Sequence, residues 1–463
     1  MVQIEFENLG PIIQGHISSN NLMVFCGENN AGKTYASYVL YSLFEERFRT
    51  NINYFDKNEL KNQGALEVDL EGFFKRYEEE QKAWVEEITR SLPDLFSAGI
   101  NEFSLAKINF HTDIEEIKNK IFAAPFNHRI TWDEKIASTM RKPFNSFKIE
   151  IKLSLSSEEL DDGEFSYLVN SGMKKILDNL IFQAFYSEAF LLPAERAGLN
   201  LFYKELNASR NELLRKFRSE TMGNESSIVE LKKEISVYAK PISDYLTFLN
   251  RLSVYSRQEA GPFSDLAVGI QESILKGKYN LDDSGIQYVS GSTEEGEVKP
   301  FKIGLHTSSS TAKTLFGLVF YLTYMARQGA TLIIDEPELN LHPDNQRKLA
   351  RILAEATNRG LRVILSTHSD YIVKEFNNLI MLSGDFENRE AIMEKFGYKQ
   401  EQIIDLHHVS AYMFADGTIS QMEVNRTEGI IAETFNEVIN QYNASNDEIY
   451  YAIMENGHDE ESD

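Results

Sequence analysis

The sequence has 463 residues with 47 basic and 71 acidic side chains, a formal net charge of −24. Such an acidic chain repels phosphate backbones overall, which argues against broad, nonspecific nucleic-acid binding without excluding a local basic groove. A single cysteine, Cys26, excludes an internal disulfide, and the lack of a long apolar run or a signal-peptide pattern predicts a cytoplasmic protein with no membrane attachment.

The chain begins with predicted strands that lead into a glycine-rich loop. Val2, Ile4 and Phe6 alternate with polar residues, and residues 22–26 form a short buried run. The loop Gly-Glu-Asn-Asn-Ala-Gly-Lys-Thr follows directly, and a predicted helix runs from about Thr34 to Phe48. This order of strand, loop and helix is the context in which a phosphate-binding P-loop occurs.

The residues of this P-loop are all predicted to bind nucleotide: Gly27, Glu28, Asn29, Asn30, Ala31, Gly32, Lys33 and Thr34. The glycines let backbone N–H groups close on phosphate oxygens, the lysine reaches the β- and γ-phosphates, and the threonine hydroxyl binds Mg²⁺. ATP and Mg²⁺ are therefore the predicted cofactors. The alternative is a chance glycine-rich turn, which the complete eight-residue pattern in this context disfavours.

Two changes of composition follow the P-loop. Residues 60–145 are charged, helical in pattern and punctuated by prolines, which predicts a mostly helical insertion. Strict alternation over 147–153 predicts that the sheet resumes there, and the run 190–192 predicts another buried strand. A second insertion, an arm of short helices, is predicted over 201–257.

An acidic pair follows a later buried strand. Strands over 265–305, a helix over 311–327 and a strand over 331–334 are predicted before Asp335 and Glu336. At a strand end, Asp335 can hold the Mg²⁺ shell, and Glu336 can orient or deprotonate the attacking water. The alternative is an ordinary acidic turn, which the presence of a P-loop makes the weaker interpretation.

A histidine follows the next strand. A helix over 345–358 and a strand over 362–365 precede Ser-Thr-His-Ser-Asp, in which His368 can reach the γ-phosphate region. The alternative is a structural histidine with satisfied hydrogen bonds. The apolar run 379–382 predicts one more strand.

These three elements, in this order, resemble the ABC-type ATPases of the SMC and RecF kind. The runs 335–343 and 367–369 look like the ATPases of the OLD (overcoming lysogenisation defect) type, and residues 8–12 and 193–196 are similar to the same group. The resemblance implies an α/β fold, namely an ABC/SMC-type P-loop ATPase head with a mixed β-sheet core, split by two mainly helical insertions. It covers the two ATPase segments and not the insertions.

The resemblance also implies a signature motif, and the matching stretch is 306–313. There Ser309 and Ser310 would donate to a γ-phosphate bound by the opposite subunit, although the usual glycine is missing and the register stays open. The alternative is a plain helix N-cap. Arg196 could face nucleotide or nucleic acid, or form a structural ion pair with Glu195 or another carboxylate. The glutamine that contacts Mg²⁺ in this family has no assigned position here.

Many OLD-type proteins carry a Toprim nuclease, whose acidic pattern is not found beyond Leu382. The similarity to the ATPase subunits of Septu and PARIS then implies an ATP-hydrolysing subunit of a bacterial anti-phage defence system, without a nuclease of its own. The implied partners are further copies of the chain, as a homodimer of heads or a higher homo-oligomer, a separately encoded nuclease or toxin effector, and a phage protein as trigger.

Two other functions are alternatives to this one. A RecF-like DNA repair ATPase that binds DNA directly is the main alternative, and the net charge of −24 disfavours it. An ABC transporter engine is disfavoured because Lys33 and Asp335 lie far apart in the sequence.

These predictions divide the chain into six segments. They are a head segment with the P-loop (1–59), a helical insertion (60–145), a return to the head (146–200), a short helical arm (201–258), a head segment with the signature, acidic pair and histidine (259–382), and a small mixed region with a disordered acidic tail (383–463).

Overall fold

The computed structural model describes residues 2–45, 54–155, 161–174, 176–177, 188–220, 238–282, 285–291, 301–431 and 443–452. The predicted end of the first helix beyond residue 45 and the predicted acidic tail after residue 452 lie outside these ranges. The predicted α/β fold with a mixed sheet core is confirmed by a nine-stranded sheet that has helices on both faces.

Eighteen strands are present in the described residues. They are β1 (Val2–Leu9), β2 (Ile12–Ser18), β3 (Leu22–Gly27), β4 (Ala65–Asp69), β5 (Lys107–Thr112), β6 (Phe126–Trp132), β7 (Lys135–Lys142), β8 (Lys148–Leu153), β9 (Ala189–Leu192), β10 (Gly277–Asp282), β11 (Gly285–Ser290), β12 (Lys302–Gly304), β13 (Thr331–Asp335), β14 (Arg362–Ser366), β15 (Val409–Ala415), β16 (Thr418–Met422), β17 (Val424–Asn425) and β18 (Gly429–Ile430).

The α-helices are α1 (Lys33–Glu45), α2 (Lys57–Gln63), α3 (Glu71–Phe74), α4 (Tyr77–Phe96), α5 (Ile114–Ala123), α6 (Asp162–Tyr167), α7 (Arg196–Glu220), α8 (Lys240–Asn250), α9 (Leu252–Tyr255), α10 (Ser264–Ile270), α11 (Ser310–Tyr324), α12 (Pro343–Asn358), α13 (Asp370–Met381) and α14 (Arg389–Phe396). A further helix covers 443–452. Short π-helical turns cover Leu168–Lys174 and Gln271–Leu275.

The main sheet has the order β5-β1-β2-β16-β15-β3-β14-β13-β9. Its centre is parallel, because β3 pairs in parallel with both β14 and β15, and β13 pairs in parallel with both β14 and β9. Toward the edge formed by β5, strand β1 runs antiparallel to both of its neighbours, β5 and β2. Consequently β3, β14, β13 and β9 all end at one edge, which is where ligands bind in sheets of this kind.

Alternation along the central strands separates two hydrophobic cores. Met23 and Phe25 of β3 belong to the core that contains α1 and the first insertion, whereas Leu22 and Val24 face the core of α11, α12 and α13. Successive side chains of a strand point to opposite faces, so a strand covered on both faces is apolar throughout. This explains the continuous apolar runs of the central strands.

The first insertion differs from its prediction. Over 60–145 the chain forms four strands as well as helices, so it is mixed rather than mostly helical. Strands β4, β8, β7 and β6 form a separate four-stranded sheet, and β5 joins the edge of the main sheet beside β1. The alternation over 147–153 does mark a strand, β8, but that strand belongs to the small sheet and does not resume the main one. Short strands separated by charged residues carry too weak an alternation to be distinguished from helix.

The second insertion is helical in its described part, with α7, α8 and α9. The C-terminal region is more closely tied to the head than predicted, because β15 and β16 lie inside the main sheet between β3 and β2. The other segment boundaries given above stay predictions.

The strand predicted over 379–382 is wrong, and the strands predicted over 265–305 are found only from Gly277 onward. Residues 379–382 end helix α13, which Ser369 caps by accepting from the N–H of Ile372, and the buried residues Val373, Phe376 and Leu379 follow at helical spacing. Likewise, 264–275 is helical before the small sheet of β10, β11 and β12 begins. Short apolar runs do not distinguish a strand from a buried helix turn. Within the described ranges, every helix is too short or too polar to cross a membrane.

Candidate functional site

The P-loop connects β3 to α1 with a backbone that only glycine fits at two points. Gly27 has φ +134°, and a Cβ there would collide with the carbonyl oxygen of Phe414. Gly32 has φ +102°, and a Cβ there would lie 2.6 Å from Cγ1 of Ile12. Both positions therefore exclude other residues by sterics and by backbone conformation. The loop lies directly before the N-terminus of α1, where free N–H groups and the helix dipole favour an anion.

Lys33 is buried in the loop, and its Nζ donates to the carbonyl oxygens of Gly27, at 2.9 Å, and Glu28, at 2.8 Å. Burial lowers the pKa of its ammonium group, and the nearby Asp335 partly opposes that shift. These two carbonyl contacts hold a cation inside the loop at the position where phosphate oxygens would neutralise it.

The end of β13 brings Asp335 to the P-loop. Its Oδ2 accepts from the Thr34 hydroxyl at 3.0 Å, and its Oδ1 accepts from the Ser366 hydroxyl. A hydroxyl and a carboxylate are the hard oxygen ligands that Mg²⁺ takes from P-loop proteins, with phosphates and waters completing the shell. No cluster of three or more acidic, histidine or cysteine ligands occurs in the described residues. The hydroxyl of Thr34 and the carboxylate of Asp335 fit a Mg²⁺ whose other ligands are phosphates and waters.

Glu336 follows in a constrained conformation. Its φ of 50° lies in the left-handed region, and its N–H donates to the carbonyl oxygen of Ser366 at 3.1 Å. This turn directs its half-buried carboxylate into the site. Burial raises the pKa of the Glu336 carboxyl, and the adjacent charge of Asp335 raises it further. A carboxylate with a raised pKa is a better proton acceptor.

His368 lies just past the end of β14, and its Nε2 is 3.9 Å from Oε1 of Glu336. Burial lowers the pKa of its imidazole, and the charge of Lys33 lowers it further. Both effects favour the neutral ring, in which one nitrogen donates and the other accepts. Its backbone N–H donates to Oε1 of Glu338 at 2.6 Å, a contact that sequence reasoning missed.

Arg196 points inward, to neither nucleotide nor Glu195. It is 2% exposed, and its guanidinium donates to the carbonyl oxygens of Pro193 (3.0 Å), Asp335 (2.6 Å) and Glu336 (2.7 Å). The reason is the sheet order, because β9 lies beside β13 and α7 begins where β13 ends. Both earlier interpretations of Arg196 are replaced by a role in holding the acidic turn.

One cavity of about 680 Å³ collects most of the predicted residues. Its lining is Pro11, Asn29, Asn30, Gly32, Lys33, Thr34, Tyr35, Asp335, Glu336 and His368. The predicted residues Gly27, Glu28 and Ala31 belong to the same loop. Tyr35 and Pro11 are lining residues that the motifs did not indicate.

The two signature serines lie apart from this cavity, since neither is among the described residues that line it. Ser309 caps α11 by accepting from the N–H of Ala312 at 3.2 Å, and Ser310 is the first residue of the helix. The helix start is fastened to the loop after the acidic pair, because the Thr311 hydroxyl donates to the carbonyl oxygen of Asn340 at 2.8 Å.

Comparison with known proteins gives a family and several similar folds. Residues 1–373 match the family model described as AAA ATPase domain (AAA_15). The chain is similar to the Smc head domain of Pyrococcus furiosus bound to the C-terminal domain of ScpA, with 11% identity, 96% of this chain and 100% of that chain covered, and a TM-score of 0.32. It is also similar to the SMC head domain of Thermotoga maritima, with 8% identity, 91% and 98% covered, and a TM-score of 0.31. Among curated proteins there is no match.

Proposed function

Because this chain belongs to the AAA ATPase domain family, we propose that it hydrolyses ATP to ADP and phosphate at the edge of the main sheet where the P-loop and the acidic pair meet. The observation that carries the proposal is the contact between the Thr34 hydroxyl and Asp335, which joins the two distant halves of the sequence at 3.0 Å. Phosphoryl transfer uses a lysine on the phosphates, a carboxylate on the metal and a group that positions the attacking water, and one cavity here holds Lys33, Asp335 and Glu336.

Each residue of the site has a separate role in the proposed hydrolysis. Backbone N–H groups of the P-loop and the Lys33 ammonium bind the phosphates, and Thr34 with Asp335 would hold Mg²⁺, which supplies charge neutralisation of the phosphates when bound. Glu336 accepts a proton from the attacking water, and its raised pKa suits that role. His368, neutral and close to Glu336, orients the water or the γ-phosphate.

We further propose that two heads clamp ATP between them. The cavity of one chain is open, and Ser309 and Ser310 lie at the N-terminus of a 15-residue helix, where an anion is favoured. A second copy would therefore present these serines to the γ-phosphate bound by the first. The site would then be complete only in the dimer.

The experiment compares Glu336→Gln with Lys33→Ala. Glu336→Gln keeps the nucleotide contacts but removes the base, so we expect hydrolysis to fall about 10²- to 10⁴-fold and an ATP-bound dimer to accumulate. Lys33→Ala loses the phosphate contact and should give neither bound ATP nor dimer. Phosphate release, retained nucleotide and light scattering on a sizing column measure these results. Glu394→Gln, on the exposed face of α14, is the matched control, and normal turnover by Glu336→Gln would refute the assignment of the base.

We propose, finally, that this ATP-dependent dimer controls a separately encoded nuclease or toxin effector in anti-phage defence, with a phage protein as trigger. The sequence resemblance to OLD-type ATPases supports this, as do the two insertions, which add surface to the head without a recognised catalytic set. Co-purification from the native operon tests it. Recovery of the chain alone, together with salt-dependent ATPase stimulation by gapped duplex DNA, would instead favour the DNA repair function.

A further inference from the structure

We propose that Glu338 is a positioning residue for ATP hydrolysis, which holds the backbone that carries His368 and acts on turnover through that histidine. The inference rests on the proposed ATPase function and deepens it. Glu338 lies two residues after the proposed base, Glu336, in the turn that follows β13.

The carboxylate of Glu338 binds two successive residues of the neighbouring strand end. Its Oε1 accepts from the N–H of His368 at 2.6 Å, and its Oε2 accepts from the hydroxyl of Thr367 at 2.9 Å. Because the two carboxylate oxygens lie in one rigid plane and each has its own donor, they fix the distance between the His368 loop and the acidic turn as well as the rotation of that loop. The turn after β13 and the turn after β14 are thereby held as one unit.

The loop that carries His368 is fastened on its other sides as well. The N–H of Thr367 donates to the carbonyl oxygen of Phe25 at 2.9 Å, next to the P-loop, and the N–H of Ser369 donates to the Thr367 hydroxyl at 3.0 Å. Ser369 in turn caps α13. Ser366 contacts Asp335 and the N–H of Glu336, and Glu338 adds the connection that reaches His368 itself.

The consequence for catalysis follows from the distances. The imidazole Nε2 of His368 lies 3.9 Å from the Glu336 carboxylate. A small movement of the loop that carries His368 therefore changes whether both groups can contact the same water molecule. A misplacement of about 1 Å in a catalytic group costs about 10²-fold in rate. A carboxylate that only stabilised the fold would have no such selective effect on turnover.

The test is a double-mutant cycle between Glu338→Ala and His368→Ala. We expect Glu338→Ala to lower kcat about 10- to 100-fold while the Kd for a non-hydrolysable ATP analogue changes by less than about threefold. The double variant should turn over at the rate of His368→Ala alone, because the two residues act as one unit. Glu338→Gln keeps one acceptor oxygen and should be intermediate, and Glu394→Ala is the exposed control.

Three outcomes would overturn the inference. Additive effects in the cycle would mean that Glu338 does not act through His368, and a loss of nucleotide affinity equal to the loss of kcat would mean a general structural role. A readout independent of turnover is the imidazole NMR signal of His368, assigned by its loss in His368→Ala. It should move in Glu338→Ala, and an unmoved signal refutes the inference. A wild-type protein without ATP hydrolysis would refute the proposed function instead, and the NMR signal would still decide the inference.

Discussion

The proposed nucleotide edge of the main sheet, meaning the ends of β3, β13 and β14 with Lys33, Asp335 and His368, differs from the four-stranded sheet of the first insertion in how its polar residues are used. All five residues of β13 are buried, and the polar groups at its end have fixed partners in neighbouring turns. In β8, only Ile149 and Ile151 are buried, and Lys148 pairs with Glu67 across the exposed face. Buried contacts of the first kind fix geometry, whereas exposed pairs of the second kind are screened by solvent. Turnover should therefore respond to the first region and not to the second.

The largest expected effect comes from Arg196→Leu, which tests the first of these two regions by removing a buried donor to the acidic turn. The substitution leaves the carbonyl oxygens of Asp335 and Glu336 without their buried donor, so the free energy of unfolding should fall by about 3 kcal/mol. Turnover should fall with it, because the acidic turn loses its support. Urea unfolding and phosphate release measure both. Arg196→Lys keeps the charge without the planar fork and should be intermediate; unchanged stability in the leucine variant would contradict the contrast.

A second effect is the pH dependence of turnover. Glu336 must be ionised to accept a proton, and its pKa is raised by burial, so activity is lost as the pH falls through a value above the ordinary 4.5 of a glutamate. Below that midpoint we expect kcat to fall about tenfold per pH unit. Stopped assays from pH 8 to pH 4, with circular dichroism to confirm folding, measure this. His368→Ala should keep the same acid limb, whereas a flat profile would remove Glu336 from the reaction.

The smallest effects on turnover are expected in the insertion. Ile151→Ala deletes a fully buried side chain and should lower the free energy of unfolding by about 2–4 kcal/mol while kcat of the folded protein stays unchanged. Lys148→Ala removes only an exposed ion pair and should change neither stability nor kcat. Thermal unfolding and phosphate release compare the two. A drop in kcat for Ile151→Ala would show that the insertion is coupled to the nucleotide edge.

The sequence predicted which residues of the proposed nucleotide edge lie close together because each motif follows a short, strongly apolar strand. Once β3, β13 and β14 are taken as parallel neighbours, Lys33, Asp335 and His368 must approach each other. The sheet order itself is a tertiary property, so the inward direction of Arg196 and the double contact of Glu338 could not be read from spacing.

For one wrong prediction, the strand at 379–382, the sequence did contain a local signal for the correct structure. The N-cap at Ser369 and the helical spacing of Val373, Phe376 and Ile380 mark α13, and they outweigh the apolar run 379–382. The strands of the first insertion carried no such signal, since β6 is largely exposed and β4 pairs with β8, which lies at the opposite end of the insertion in sequence. The position of β15 beside β3 could not be predicted either, because the sequence near residue 409 contains no local signal that identifies a partner strand near residue 22.

The place of β15 has a consequence for how this protein is made. Gly27 lies against Phe414, and the two strands that pair with β3 are β14 and β15, both near the C-terminal end of the sequence. During synthesis, the P-loop is therefore complete long before the strands that pair with β3 have been made. At about 5–20 residues per second, the ribosome leaves that apolar strand without pairing partners for many seconds. Unpaired strands of this type aggregate. The ability to bind nucleotide should therefore appear late and abruptly during synthesis, once β15 has emerged.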